Sequence, residues 1–267
     1  MIGMLKRTHK IVSLPHIAQQ SRGKPLCILT FDDGLFDHYE YVLPILLSHG
    51  VQGYFYPSTA PLNKPIVLDT HIIHILLAEL GENQFAQLLE SSYLKRNVKF
   101  NLYDFSNNTR FNRWANPLIS NIKYSLNMLD NRLRRTILLE LLEQYVGDEA
   151  EISASFYMQP NQLKDMVNNS MRIGCHGHNH RPLGSLASRE KKREVVESIK
   201  ILNGFSFNVD SIAYPFGSFD QATKLIASEQ GLSYGLSIDE GALLNNNDPL
   251  ALPRYDVYSI YQSLNLR

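Results

Sequence analysis

The chain has 267 residues, 44% of them apolar, a length and composition that suit one large α/β domain or two small ones. Lys plus Arg and Asp plus Glu both number 26, and the densest basic run, Arg189 to Arg193, is broken by Glu190 and reads as a solvated helix face, so no nucleic-acid partner is expected. No stretch approaches the roughly 18 apolar residues of a spanning helix, Lys6, Arg7, His9 and Lys10 interrupt the N-terminus so that no signal peptide is read, and two distant cysteines, Cys27 and Cys175, make no disulfide framework; a cytoplasmic location is the expectation.

In chain order, the apolar run over 26–31 lacks polar alternation and predicts a strand buried on both faces, ending at Asp32-Asp33-Gly34. A helix over 39–49 follows, with Pro44 early in it and Gly50 as its stop. A second strand over 52–56 ends at Pro57. From 64 to 159 the spacing turns helical: Ile72, Ile73, Leu76, Leu77 and Leu80, then Leu133, Ile137, Leu138, Leu141, Leu142 and Tyr145, stopped by Gly147. Asn107, Asn108 and Asn112 mark a polar connection between them. This section reads as a helical insertion carried by a single domain over 1–267.

Strand and helix then alternate again. Strands are predicted over 171–175, 209–214, 233–238 and 252–257, and a helix over 221–230. Another helix is capped by Ser188, buries Val195, Val196, Ile199 and Leu202, and stops at Gly204. Polar clusters at Asp32-Asp33, His176 to His180, Tyr214 to Gly217 and Arg254 all fall near C-terminal strand ends. In a parallel α/β barrel these ends form one mouth.

Asp32-Asp33-Gly34 alone fits an ordinary turn. The segment Gly174-Cys175-His176-Gly177-His178-Asn179-His180 adds three imidazoles in five positions, and imidazole is a frequent metal ligand. If the segment were extended, His176 and His178 would share a face and His180 would lie about 13 Å from His176. If it curls, His176 and His180 come within about 6 Å. Spacing leaves both open. Cys175 would point away from His176 in a strand, which favours a buried small side chain over a fourth ligand. Asp69, His71 and His74 read as a helix cap and rim contacts; Trp114, Tyr103 and Phe105 read as core packing, with stacking on a sugar ring as the alternative.

Thr30-Phe31-Asp32-Asp33-Gly34, His176 through His180 and Ala213-Tyr214-Pro215-Phe216-Gly217 together resemble, in order and spacing, the three motifs of the polysaccharide deacetylases, the NodB-homology or carbohydrate esterase 4 group. The resemblance covers roughly residues 25–62 and 155–257. It implies a distorted (β/α) barrel that hydrolyses N- or O-acetyl groups on sugars. By motif position it makes Asp32 the general base, gives Asp33, His176 and His180 a divalent metal, usually zinc, and places the backbone N–H of Phe216 as an oxyanion donor. That ligand set requires the curled segment.

This chain departs from the family pattern at several points. Gly177 stands where a hydroxyl residue is usual, Arg181-Pro182 replaces the usual Pro, and Ala213 replaces the arginine that often tethers the base; Arg254 is the candidate replacement. No histidine follows His180, so the general acid of the late family motif is missing, leaving His178, His9, His16 or water to protonate the leaving amine. The expected function is hydrolysis of an acetyl group on a precursor of a surface polysaccharide, nucleotide-linked or lipid-linked, with peripheral membrane contact in the latter case. The alternatives are a non-catalytic sugar-binding scaffold and a hydrolase of another small amide.

Overall fold

A computed structural model describes residues 1–17, 23–104, 116–243 and 248–263. Phe105, Asn107, Asn108, Asn112 and Trp114 lie outside these residues. The chain divides into two compact units, Met1–Lys64 with Ala154–Arg267, and Pro65–Ser153.

The first unit is α/β and its strands are short: β1 (Lys10–Ile11), β2 (Leu26–Cys27), β3 (Leu29–Asp33), β4 (Gly53–Pro57), β5 (Arg172–Ile173), β6 (Ser211–Ala213) and β7 (Tyr234–Leu236). The run over 26–31, predicted as one strand, breaks at Ile28 into two with different partners: β2 pairs with β1 and β3 with β4. All pairings between named strands are parallel, in the orders β3-β4-β5 and β6-β7. Single parallel bridges, Cys175 to Ile212 and Leu236 to Leu252, extend the sequence of neighbours. The strand predicted over 252–257 is reduced to that one bridge. Pro253 has no N–H to donate to a ladder, and Val257–Ser263 is helical. Among the described residues no backbone ladder joins Leu252 to β3.

Alternation along β3 and β4 sorts side chains onto two faces. Phe31 and Phe55, paired in register and stacked at 4.8 Å, face a core that includes Leu43, Leu46, Cys175, Ile212, Val195 and Leu202. Tyr54, Tyr56, Ala213, Leu236 and Leu252 form the core of the other face. Asp32, in register with Tyr56, belongs to this second face.

After β3 the chain makes a wide helical turn, His38–Val42, before the α-helix Leu43–His49. Pro44 is therefore the second residue of the α-helix, at the junction where the wide turn passes into it. Gly50 closes the helix at φ 60. Helix Ser188–Gly204 starts without a side-chain cap, Ser188 being its first residue rather than its cap. Its inner face carries two charges the apolar pattern did not predict, Lys191 and Glu194, each 3% exposed. Lys191, expected on a solvated face, is paired with Asp220.

The second unit is helical. Asp69–Lys95 is interrupted at Gly81, and Pro117–Met128 and Asn131–Tyr145 follow. Asn116 and Asp130 cap the latter two through their side chains. Asp69 is not a cap: its carboxylate pairs with Arg134 Nε at 2.8 Å and Arg135 at 3.1 Å. His71 is buried, His74 lies 3.0 Å from Lys123 Nζ, and Tyr103 is exposed rather than packed in a core.

Candidate metal centre and active site

Three segments of the first unit meet at one point. At the end of β3 the chain turns through two left-handed residues, Asp33 and Gly34, both at φ 76. Gly34 is needed there on two counts, since a Cβ would also lie 2.6 Å from Cβ of Pro57. His180 at φ 53 and Phe216 at φ 56 are left-handed as well. Non-glycine residues rarely adopt this conformation, and such strain tends to gather at functional sites.

The segment 176–180 is curled. The rings of His176 and His180 lie 4.9 Å apart, centre to centre. Nε2 of His176 is 3.3 Å, and Nε2 of His180 3.1 Å, from the same oxygen, Oδ1 of Asp33. Among the described residues, these three are the group whose ligand atoms are close enough to hold one ion, all within 4.8 Å of one another. Nδ1 of His176 is 2.7 Å from the carbonyl oxygen of Ala213. A carbonyl only accepts, so Nδ1 carries the proton and the Nε2 lone pair of a neutral ring faces a carboxylate oxygen. That opposition is relieved by a proton on Nε2 or by a metal cation between the two atoms. The donor set also suits zinc, because ligands at about 2.0–2.1 Å in a tetrahedron stand roughly 3.3 Å from one another. Burial pulls the His176 imidazole pKa down, but the hydrogen bond to Asp33 and the charges of Asp32 and Asp33 outweigh it, so the pKa is raised overall.

Asp32 sits beside this group and is held by Arg254. Nη1 donates to Oδ1 at 2.9 Å and Nη2 to Oδ2 at 2.8 Å, a two-pronged pairing that fixes the plane of the carboxylate. Arg254 is itself oriented, its Nε donating to the carbonyl of Ser237 at 2.9 Å and its Nη1 to Oγ1 of Thr30 at 3.3 Å. Burial alone would push the Asp32 carboxyl up; the charges of His176 and Arg254 and the bond to the guanidinium hold it below its ordinary value.

Phe216, 53% exposed, sets its ring edge-on against His180 with centres 4.6 Å apart. His178 is turned elsewhere, its Nδ1 lying 3.0 Å from Oγ1 of Thr59. Burial lowers its pKa despite the nearby Glu194 and Glu197. His9 and His16 pair locally with Thr8 and Ser13. Cys175 lies on the opposite face from His176, buried, its thiol bonded to Ser198 and pushed up to about 11 by burial.

The structure thus brings together Asp32, Asp33, His176, His180, Phe216 and Arg254, and turns His178 toward Thr59. The two groups that aim Arg254 had no signal in the sequence. Thr30 was quoted only as part of a motif, and Ser237 acts through its backbone.

A family model described as polysaccharide deacetylase matches residues 136–235, which include the His176–His180 segment and the Tyr214–Gly217 turn. No curated protein matches the sequence. In fold, the chain is similar to the Streptococcus pyogenes deacetylase PplD in complex with acetate (16% identity, TM-score 0.56, covering 94% of this chain and 75% of that one). It is similar to the deacetylase domain of BpsB from Bordetella bronchiseptica (14% identity, TM-score 0.57, 95% and 81%). IcaB from Ammonifex degensii is comparable (15% identity, TM-score 0.57, 99% and 84%). At these identities the structural likeness establishes a shared fold.

Proposed function

We propose that this chain, a relative of the polysaccharide deacetylases, is a metal-dependent hydrolase that removes an acetyl group, N-linked in the first instance, from a sugar. The observation that carries the reading is the convergence of two imidazoles on one oxygen of Asp33, with a second carboxylate, Asp32, clamped beside them by Arg254.

In this reading Asp33, His176 and His180 hold the ion, and their two-nitrogen, one-oxygen chemistry suits zinc. When bound, the ion supplies acidification of a water and polarisation of the acetyl carbonyl. Asp32 accepts the proton of the attacking water. Its lowered pKa keeps it ionised at neutral pH, and Arg254 occupies one lone-pair direction on each oxygen, leaving others free for that proton. The backbone N–H of Phe216 donates to the oxygen that becomes negative as the carbonyl is attacked. Protonation of the leaving nitrogen is assigned to solvent, because His178 is turned toward Thr59.

We read the parallel neighbours from β3 to Leu252 as the family's distorted barrel, spanned between Leu252 and β3 by the Arg254 side chain. Among the described residues no helix is long and apolar enough to cross a membrane. On the expectation of a cytoplasmic protein, the substrate is a nucleotide-linked or lipid-linked N-acetylated precursor of a surface polysaccharide. The test is acetate release from N-acetylglucosamine oligomers and from nucleotide- and lipid-linked N-acetyl sugars, using zinc-loaded and chelator-stripped protein. Zinc-dependent release from any of these supports the reading; no release from all of them by protein carrying stoichiometric zinc overturns it.

A further inference from the structure

Curling residues 176–180 so that two imidazoles meet leaves a stretch of irregular backbone whose N–H and C=O groups have no ladder or helix to join. The carbonyl side is met by residues just after β4. Ser58 Oγ donates to the carbonyl of His176 at 3.0 Å, and the backbone N–H of Thr59 and of Ala60 donate to the carbonyls of Gly177 and His178 at 3.3 and 2.9 Å. The amide side is met by one side chain. Oε2 of Glu194 accepts from the backbone N–H of His178 at 3.1 Å and of Asn179 at 2.7 Å, while Oε1 accepts from Nδ2 of Asn179 at 2.7 Å.

Glu194 comes from the middle of helix Ser188–Gly204 and is 3% exposed. A buried carboxylate is costly unless its lone pairs are used, and amide donors to an ionised acceptor are the stronger class of hydrogen bond. The loop turns left-handed at Gly177, φ 70, where a side chain would start 3.6 Å from Oε2 of Glu194. The two amides that Glu194 gathers lie between the two ligands in sequence, so the spacing of the imidazoles depends on them.

We propose that Glu194 is a positioning residue of the metal centre: its carboxylate clamps the 176–180 loop in the curl that brings His176 and His180 onto one ion, and so sets the affinity of the site for zinc. This rests on the reading of Asp33, His176 and His180 as the ligands. It separates Glu194 from an ordinary buried helix residue, whose loss would lower stability without selectively loosening a metal.

The experiment is chelator-competition titration of zinc into stripped protein, with unfolding midpoints recorded for both forms. Glu194→Ala is expected to bind zinc at least about tenfold more weakly than the unsubstituted protein, in the range typical of lost supporting groups around metal ligands. The zinc-induced rise in midpoint should shrink with it. Glu194→Gln keeps an acceptor for the two backbone amides and should restore most of the affinity. If Glu194→Ala does not fold, Glu194→Asp carries the comparison, since it keeps the charge but withdraws it by one methylene. A folded Ala or Asp variant with undiminished zinc affinity overturns the clamp and leaves the ligand assignment standing. Unsubstituted protein that takes up no zinc overturns the ligand assignment itself.

Discussion

The proposed function gives the neighbours Asp32 and Asp33 different duties, and the difference lies in the backbone. Asp32 lies within β3 with its side chain on the face of Tyr54 and Tyr56, whereas Asp33, the strand's last residue, has turned left-handed and faces the imidazoles. Asp32→Asn should therefore lower kcat by about 10²–10⁴, the usual contribution of a positioned base, while one zinc per chain is still found by elemental analysis; full activity would remove Asp32 from its role. His176→Ala should lose both zinc and turnover. Arg254 supplies the pH test. Its guanidinium helps hold the Asp32 carboxyl below the ordinary carboxylate range, so removing it in Arg254→Ala lets that pKa rise. A base must be deprotonated to act, so the acidic limb of the kcat/KM profile should move to higher pH; an unmoved limb would mean the tether does not tune the base. The three proposed ligands were legible because each sits in a compact motif, Asp33 in one and His176 with His180 in another. The pairing of Asp32 with Arg254 was legible only as a candidate, because the two are 222 positions apart and no local pattern joins them.

Helix reading by apolar spacing succeeds where only packing decides and fails where a charge is placed on the packed face. In Ser188–Gly204 the apolar positions were found at Val195, Ile199 and Leu202, but Lys191 and Glu194 on the same face were not, because period alone assigns charges to solvent. Lys191 meets Asp220, which also caps the next helix, Gln221–Glu229, accepting from the N–H of Thr223 at 2.8 Å. Asp220 thus ties two helices together. The bonds from Lys191 and Thr223 draw its pKa down to about 2, against an ordinary value of 3.8. With the folded-state pKa below the unfolded one, its stabilisation is present above about pH 4 and is lost as pH falls toward 2. Asp220→Ala should cost about 1 kcal/mol for the cap and more for leaving the Lys191 ammonium buried without its carboxylate. Asp220→Asn, which keeps the cap acceptor, should cost less. Urea melts of the three proteins at pH 7 and pH 3 would show it, with the gap between native and Asp220→Ala narrowing at the lower pH; equal gaps at both would rule out the charge as the cause. Strand limits fared worst: over 252–257 Pro253 removes a ladder donor, and a single bridge at Leu252 remains.

At the scale of the whole molecule, the site belongs to one of two compact units, since Asp33, His176, His180 and Arg254 all lie within Met1–Lys64 with Ala154–Arg267. Its residues come from both sides of the Pro65–Ser153 unit in sequence, so an ion held by Asp33, His176 and His180 would link β3 to the 176–180 loop, while the Asp32–Arg254 pair joins β3 to the segment after Leu252. An ion that binds only the folded form stabilises it by mass action, about 2.7 kcal/mol at a free concentration one hundred times Kd. For a chain of this size that corresponds to a rise in unfolding midpoint of several degrees. The gain should also be local. Hydrogen exchange with and without zinc is expected to slow at the amides of β3, of the 176–180 loop and of the turn at Phe216, and to change little in the helices Pro117–Met128 and Asn131–Tyr145. Protection spread evenly over both units would mean that the ion acts somewhere other than at Asp33. If zinc raises the midpoint of the His176→Ala variant as much as that of the unsubstituted protein, the stabilisation comes from another site. A rise confined to chains with all three ligands intact ties the stability of the α/β unit to the same three atoms that the chemistry requires.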